Sequence, residues 1–161
     1  MATVTVVVAL TVAGICTALM AGAFFGFSTG VMPGLDGIEP SQAVAAMRRI
    51  NDRIQNPGFL SAFVLAPLAS VVAGGLLLAA GSTLAAVAAF AAAAVYALGA
   101  FATTAAINVP MNLALDASTS ADEETWAAYS RKWTRWNSVR GLASVVSLVL
   151  LGWAVYAYAA A

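Results

Sequence analysis

Histidine does not occur in this chain of 161 residues, and cysteine occurs once, as Cys16. Proteins bind zinc, copper and haem iron mainly through histidine and cysteine side chains. The chain therefore lacks the usual ligands of such centres, and we expect it to work with no metal and no other cofactor. A single cysteine also excludes an intrachain disulfide bond.

Charged residues are also scarce, at 9% of the chain against 62% hydrophobic residues. A water-soluble domain carries about 25% charged residues, because polar groups must cover its surface. The solvent of this chain must therefore be partly lipid, and the lipid bilayer is its first expected partner. Seven basic and seven acidic residues cancel to zero net charge, so we expect no binding to nucleic acid.

The charges lie in two windows, residues 33–56 and 112–140, and they leave four apolar segments. The segments cover about residues 4–31, 58–80, 84–108 and 139–159. Each is close to the ~20 residues that cross a bilayer as a helix. The sequence therefore predicts one all-α domain over residues 1–161. We expect this domain to be an integral membrane bundle of four transmembrane helices. A short amphipathic helix is expected between spans one and two, and a cytoplasmic extension of helix four.

Lysine and arginine favour the cytoplasmic side of a membrane protein. All of them lie in the two polar windows, so we expect both windows to be cytoplasmic and both termini to be outside, in a bacterial cell membrane. The first span carries small residues at every fourth position: Gly14, Ala18, Gly22, Gly26 and Gly30. This spacing predicts close helix packing within the bundle, and a homo-oligomer is a further expectation.

The first polar window contains PSQAVAAMRRINDRIQNP, which predicts a short amphipathic helix with Ser41 as its cap. Its apolar face combines Ala43, Val44, Met47, Ile50 and Ile54. Asn51 falls on that apolar face. A polar amide among apolar neighbours needs a partner, which favours an Asn51 that points into the bundle; a solvated or capping asparagine is the alternative.

The third span ends in INVPMNLAL, where Pro110 lies between Asn108 and Asn112. Proline lacks the N–H that would bond to the carbonyl of Ala106, so the helix is predicted to kink or end there. Backbone that is broken at membrane depth is tolerated where it lines protein or a water-filled cavity. Asn108 and Asn112 are therefore candidate binding residues.

The fourth helix is predicted to start early, because Ser120 and Glu123 match a capping box. One face of that helix gathers aromatic and polar residues: Trp126, Tyr129, Trp133, Trp136, Asn137, Arg140, Ser144 and Ser147. Arg131, Lys132 and Arg135 lie away from it. An interfacial belt that anchors the helix explains the tryptophans. A pocket with a polar floor of serines explains why Arg140 shares their face.

The motifs NVPMN at 108–112 and W..Y...W..WN..R at 126–140 together resemble the anthrone oxygenase-like family of small four-helix membrane proteins. GFSTGVMPGL at 26–35 and MRRINDRIQNPGF at 47–59 are similar to its other signatures. The resemblance implies oxidation of anthrone-like or other electron-rich polycyclic phenols by dioxygen, without metal or flavin. The family pattern carries over onto Asn112, Trp133, Asn137 and Arg140. Some relatives have a histidine near the asparagine of this stretch that could assist proton transfer, and this chain has none.

If the resemblance holds, Arg140 would stabilise an enolate oxygen, and Asn112 and Asn137 would orient the carbonyl or peroxide. Trp133 and Trp136 would stack on a flat ring system. The other expected binding residues are Phe24, Phe27, Ser28, Asn51, Asn108 and Tyr129. The base stays open between Tyr129, Asp36 and bound water. The alternative function is a non-catalytic membrane protein that binds a lipid, a quinone-like ligand or a partner subunit.

Overall fold

The structure is a computed structural model that describes residues 2–161, with side chains from residue 3 onward. The regular secondary structure of these residues is entirely helical, with no strand among them. Four long helices have the length and apolar composition needed to cross a membrane: Thr3–Asp36, Pro57–Ala79, Thr83–Ala117 and Glu123–Ala159. We call them the first to fourth long helices. The predicted all-α bundle with four transmembrane helices is confirmed, and the protein is an integral membrane protein.

Neighbouring long helices pack side by side in a ring. The first long helix contacts the second and the fourth, and the third also contacts the second and the fourth. A tight turn joins the second and third helices, and Gly81 adopts a φ of 80° there, which glycine tolerates best. Small side chains such as Ala13, Ala73, Ala89 and Ala92 fill one end of the bundle. These small side chains let the long helices approach closely at this end.

Two long helices change their hydrogen-bond register near that other end. The first passes through a π-helical turn at Phe27–Val31 before it ends. The third contains π-helical turns at Ala97–Ala102 and Thr104–Asn108, after which an α-helix runs from Val109 to Ala117. The helix continues through Pro110 to Ala117, so the prediction that it ends at Pro110 is wrong. Pro110 lies in the first turn of the new α-helical segment, where its missing N–H costs least.

The predicted amphipathic helix spans Pro40–Ile54, and its buried residues are Ala43, Val44 and Met47. The capping prediction for Ser41 is wrong, because Glu39 is the N-cap and no side chain caps the helix. Arg48 fixes the helix in place by donating hydrogen bonds to the carbonyl of Leu115, at 2.8 and 3.1 Å, and of Ser118, at 2.6 Å. The amphipathic helix is thereby tied to the end of the third long helix.

The fourth long helix starts at Glu123 and continues without a break, as predicted. The capping residue is Asp122 instead of Ser120: Asp122 accepts a hydrogen bond from the N–H of Thr125 at 2.9 Å. Ser120 donates to the other carboxylate oxygen of Asp122 at 2.6 Å. These bonds, that of Ser120 first, favour the charged form and lower the pKa of Asp122 to about 2.

The stripe of small residues on the first long helix does not mediate packing inside the bundle. A Cβ atom placed on Gly14, Gly22, Gly26 or Gly30 would meet nothing within 4 Å. Close packing occurs at other glycines instead: a Cβ on Gly99 would collide with Ala143, and one on Gly74 with the ring of Phe90. The prediction for the stripe is wrong, because i+4 spacing defines a face without defining which way that face points.

Candidate functional site

A cavity of about 360 Å³ lies between the four long helices and the amphipathic helix. Its volume falls within the roughly 300–1,000 Å³ range of small-molecule sites. It is lined by eight of the predicted site residues: Phe24, Phe27, Asn51, Asn108, Asn112, Trp133, Asn137 and Arg140. A wider hollow of about 660 Å³ lies at the opposite end of the bundle, and none of the described residues that line it has a charged side chain.

Arg140 is the charged residue of the cavity wall and is only 6% exposed. One terminal nitrogen donates to Oγ1 of Thr104 at 3.1 Å, and the other donates to Oδ1 of Asn137 at 2.8 Å. The guanidinium carbon lies 4.6 Å from the ring centroid of Phe24 and 5.3 Å from that of Trp133. The cation is therefore held in a fixed position by two neutral hydrogen-bond acceptors and two aromatic rings.

The positive charge of Arg140 has no acidic partner. Within residues 2–161, ion pairs join Asp52 to Arg49 and to Arg53 on the surface, and Arg140 takes part in none. Its Nε atom is buried and has no hydrogen-bond partner. A buried charge without a counter-ion is costly, and an anion that enters the cavity would compensate it. The site is therefore suited to bind or stabilise a negative charge.

Asn137 supports the side chain of Arg140. Its side-chain nitrogen donates to the carbonyl of Phe24 and to Oγ of Ser28, both at 2.7 Å. Both N–H groups of the amide are thus used. The expected role of Asn137 in orienting a substrate carbonyl stays a prediction, and in the structure its Oδ1 atom accepts a hydrogen bond from the guanidinium of Arg140.

Asn112 has one engaged and one available side-chain atom. Its Oδ1 accepts hydrogen bonds from the Tyr129 hydroxyl and from Nε1 of Trp133, both at 2.9 Å. Its Nδ2 donates to no other described residue, and Asn112 lines the cavity. The two donors fix the orientation of the amide, so Nδ2 remains available for an acceptor on a ligand.

Asn108 is 1% exposed, and neither its Oδ1 nor its Nδ2 has a hydrogen-bond partner. A buried amide without partners costs about 1–3 kcal/mol for each unsatisfied group. Because Asn108 lines the cavity, a ligand there can satisfy both atoms. Asn108, the Nδ2 atom of Asn112 and the Nε atom of Arg140 are thus unpaired polar groups of residues that line the cavity.

Other predicted residues lie outside the cavity lining. Tyr129 and Ser28 contribute indirectly through Asn112 and Asn137, whereas Trp136 is half-buried and does not line the cavity. The expected stacking of Trp136 on a ligand stays a prediction that this cavity does not support. The polar floor is also absent, because Ser144 donates to the carbonyl of Arg140 and Ser147 to that of Ala92, both at 2.9 Å.

Asp36 and the tyrosine hydroxyl that were candidates for the base are engaged elsewhere. Asp36 accepts hydrogen bonds from Nε1 of Trp126 at 2.9 Å and from Oγ of Ser130 at 2.7 Å. The Tyr129 hydroxyl donates to Asn112. Neither residue lines the cavity, and no carboxylate does among the described residues. Water is therefore the remaining candidate of the three.

Thr104 and an aromatic wall formed by Phe59, Phe63 and Phe101 also line the cavity, although no motif in the sequence indicated them. The rings of Phe63 and Phe101 stack with centroids 5.1 Å apart and planes 13° apart. Each of these residues occurs in a segment that reads as ordinary membrane helix. Only the i+4 spacing of Thr104, Asn108 and Asn112, which places them on one helix face, was available as a signal for Thr104.

A family model described as anthrone oxygenase matches residues 53–150 of the chain. The match extends over the second and third long helices and most of the fourth. It therefore includes Asn108, Asn112, Trp133, Asn137 and Arg140, and it confirms the resemblance seen in the motifs. Neither the curated proteins nor the solved structures compared with the chain include a match to it.

Proposed function

The chain belongs to the anthrone oxygenase family, and from this premise we propose that it is a cofactor-free membrane oxygenase. Its substrates are anthrone-like or other electron-rich polycyclic phenols, and its oxidant is dioxygen. The observation that carries the proposal is Arg140, a buried cation without an acidic partner at the wall of a cavity of suitable size. Such a cation stabilises the anion through which these substrates react with dioxygen.

In the proposed reaction, the anthrone loses a proton from its methylene group, and the negative charge is delocalised onto the carbonyl oxygen. The enolate then transfers electrons to dioxygen, and a new carbon–oxygen bond forms a peroxide at the former methylene carbon. Loss of the second proton at that carbon breaks the O–O bond, and hydroxide leaves and is protonated to water. One anthrone and one dioxygen thus give one anthraquinone and one water.

The residues of the cavity have separate roles in this reaction. Arg140 stabilises the enolate oxygen, while Trp133 and Phe24 supply apolar surface beside it. The free Nδ2 of Asn112 and the unpaired amide of Asn108 bind other oxygen atoms or hydroxyl groups of the ligand. Water in the cavity accepts the methylene proton, because no described carboxylate lines the cavity.

The test compares Arg140→Gln with Arg135→Gln. Arg140→Gln should lower anthrone turnover by about 10²–10³-fold, the usual effect of losing one stabilising group at a developing oxyanion. Arg135 is exposed on the same helix, and its replacement should change stability by under about 1 kcal/mol and leave turnover unaffected. Arg140→Lys should recover only part of the activity, because lysine lacks the planar fork of arginine. Oxygen consumption and anthraquinone absorbance measure turnover.

Thermal unfolding in detergent, measured for each variant, separates a loss of chemistry from a loss of fold. Equal loss of turnover in the Arg140 and Arg135 variants, at unchanged stability, would contradict the proposal. It would instead favour an interfacial belt of basic and aromatic residues. No turnover by the unaltered protein would also overturn it.

The second candidate is a non-catalytic protein that binds a lipid or a quinone-like ligand in the same cavity. The specific observation in its favour is that no acidic residue is among the described residues that line the cavity. Under this alternative, purified protein binds anthraquinone with a loss of affinity in Arg140→Gln but never produces it from anthrone. The two measurements together decide between the candidates.

A further inference from the structure

The cavity opens on the outer surface of the bundle. Six of its lining residues are also exposed, and one of them, Gln55, is polar. The other five are Leu60 on the second long helix, and Phe101, Ala105, Val109 and Leu113 on the third. All five are apolar. They form a continuous rim, which we call the lateral rim, between the two helices. Contact of such apolar side chains with water is unfavourable in free energy, whereas their contact with lipid is not.

The helices that carry the lateral rim have little charge. The second long helix has no charged residue, and Asp116 near the end of the third is the only one on that helix. Both helices are long and apolar enough to cross a membrane. Of the lateral rim, Leu60, Phe101 and Ala105 lie within the apolar segments 58–80 and 84–108.

The two helices separate where the lateral rim lies. They pack against each other along Pro57–Ala79 and Thr83–Tyr96, whereas the π-helical turns of the third helix are scarcely in contact with the second. The stacked rings of Phe63 and Phe101 are the main bridge across this gap. Phe101 is 41% exposed, so its ring can turn outward into lipid without breaking a buried core.

The amphipathic helix partly covers the side of the cavity that faces the polar windows. The amphipathic helix places Ile50, Asn51 and Ile54 over it, and Arg48 fixes this helix to the third long helix. Gln55 is the exposed polar residue on this side, and its amide nitrogen donates to the carbonyl of Asn51 at 3.0 Å. A charged ligand would have to displace this cover to enter from water.

We infer that the site takes its ligand sideways from the lipid phase, between the second and third long helices, as a neutral aromatic molecule that ionises only beside Arg140. The inference rests on the proposed function for the ionisation, whereas the route is independent of any turnover. It limits the substrate class to neutral, membrane-dissolved phenols and ketones. A permanently charged analogue of the same ring system is excluded, because transferring it across an apolar rim costs too much.

The experiment uses two light-activated probes with the chain in phosphatidylcholine vesicles. One is a neutral aryl trifluoromethyl diazirine, and the other is the same molecule with a sulfonate. A flash of light shortly after mixing covalently attaches the probe molecules that have entered the cavity. Mass spectrometry then measures labelling at Phe24 and Trp133. We expect the neutral probe to label both residues and the sulfonate to label neither. Labelling of Leu98, 73% exposed on the third helix, is the internal standard for the neutral probe.

Four variants test the route, and the fourth, Gln55→Phe, narrows the cavity on the side that faces the polar windows. Ala105→Phe, which narrows the lateral rim, should reduce labelling of the cavity by the neutral probe several-fold. Ala102→Phe is the matched control, because Ala102 is exposed on the same helix but does not line the cavity, and it should leave labelling unchanged. Phe101→Ala widens the rim and should increase labelling, which keeps the test decisive if Ala105→Phe fails to fold.

Several outcomes would overturn the lateral route. Labelling of the cavity by the sulfonate as strong as that by the neutral probe would contradict it. Absence of labelling by the neutral probe at both Phe24 and Trp133 of the unaltered chain would contradict it as well. A fall in labelling for Gln55→Phe, with none for Ala105→Phe, would place the entrance on the water side. None of these results depends on anthrone turnover, so failure of the route and failure of the Arg140 experiment are distinguishable.

Discussion

Three of the four asparagines that line the cavity differ in how much of each amide the protein itself uses. Asn137 has both N–H groups and its oxygen engaged, and Asn112 has only its oxygen engaged. Asn108 has neither atom engaged. An amide that is fully used fixes its neighbours, whereas an unused buried amide costs stability that a ligand can restore. The series separates a supporting residue from two binding residues.

Asn108→Leu should therefore separate stability from binding. Leucine has a similar size and no polar atoms, so it removes the penalty of the unpaired amide, and the thermal midpoint should stay the same or rise. The same change should weaken binding of anthraquinone by about 1–3 kcal/mol, since the ligand loses its hydrogen-bond partners. Thermal unfolding and quenching of tryptophan fluorescence measure the two effects.

The control for this residue is Asn137→Leu, which should lower stability because it removes three hydrogen bonds of a buried amide. A strong loss of stability in Asn108→Leu, as large as in Asn137→Leu, would show that Asn108 already has partners in the empty protein. Its assignment as a binding residue would then fail.

At the scale of helices, the cavity depends on π-helical turns in the first and third long helices. Both Phe27–Val31 and Thr104–Asn108 border the cavity. A π-helical turn carries an extra residue and is frequent at functional sites. Directly beside these turns, Gly99 packs against Ala143 of the fourth helix, three residues beyond Arg140. The close contact at Gly99 thus sets the distance between the helices that carry Thr104 and Arg140.

Gly99→Ala should disturb this contact, because the added Cβ would collide with the Cβ of Ala143. We expect a loss of about 1–3 kcal/mol in the free energy of unfolding, the usual cost of overpacking. Gly26→Ala is the matched control: it meets open space, and alanine favours a helix by roughly 0.5–1 kcal/mol over glycine. Equal stability of the two variants in detergent would argue against the tight contact.

At the scale of the whole molecule, the distribution of charge predicts an orientation. Lysine and arginine lie only in residues 33–56 and 112–140, and the long helices bring these two windows to one end of the bundle. The termini and the turn at Gly81 lie at the other end. Since cytoplasmic segments are enriched in basic residues, we propose that the end with the amphipathic helix and the cavity is cytoplasmic.

Cysteine labelling in spheroplasts tests this orientation on a Cys16→Ala background. Ser120→Cys should react with a membrane-impermeant maleimide only after the membrane is opened. Thr83→Cys, at the exposed start of the third helix, should react in intact cells. The reverse pattern would invert the orientation, although it would leave the cavity and the lateral rim unchanged.

The sequence by itself determined the helical membrane character and the inward face of the fourth helix. The first follows from the absence of charge over four long segments, and the second from helical periodicity, which needs only one chain segment. Trp126, Trp133, Asn137 and Arg140 are buried along that helix as the periodicity predicts. These features are local, so composition and spacing define them before any packing is known.

Only the tertiary structure decided which neighbour each face meets. Spacing gave Trp136 the same face as Trp133, but the neighbouring helices enclose Trp133 and leave Trp136 outside the cavity. The spacing also placed the glycines of the first helix on one face, but in the structure a Cβ atom on any of them would meet nothing within 4 Å. Thr104 and Asn137 engage Arg140 because three helices converge there. Periodicity gives angles within one helix; the rotation of each helix against its neighbours depends on side-chain packing between segments distant in sequence.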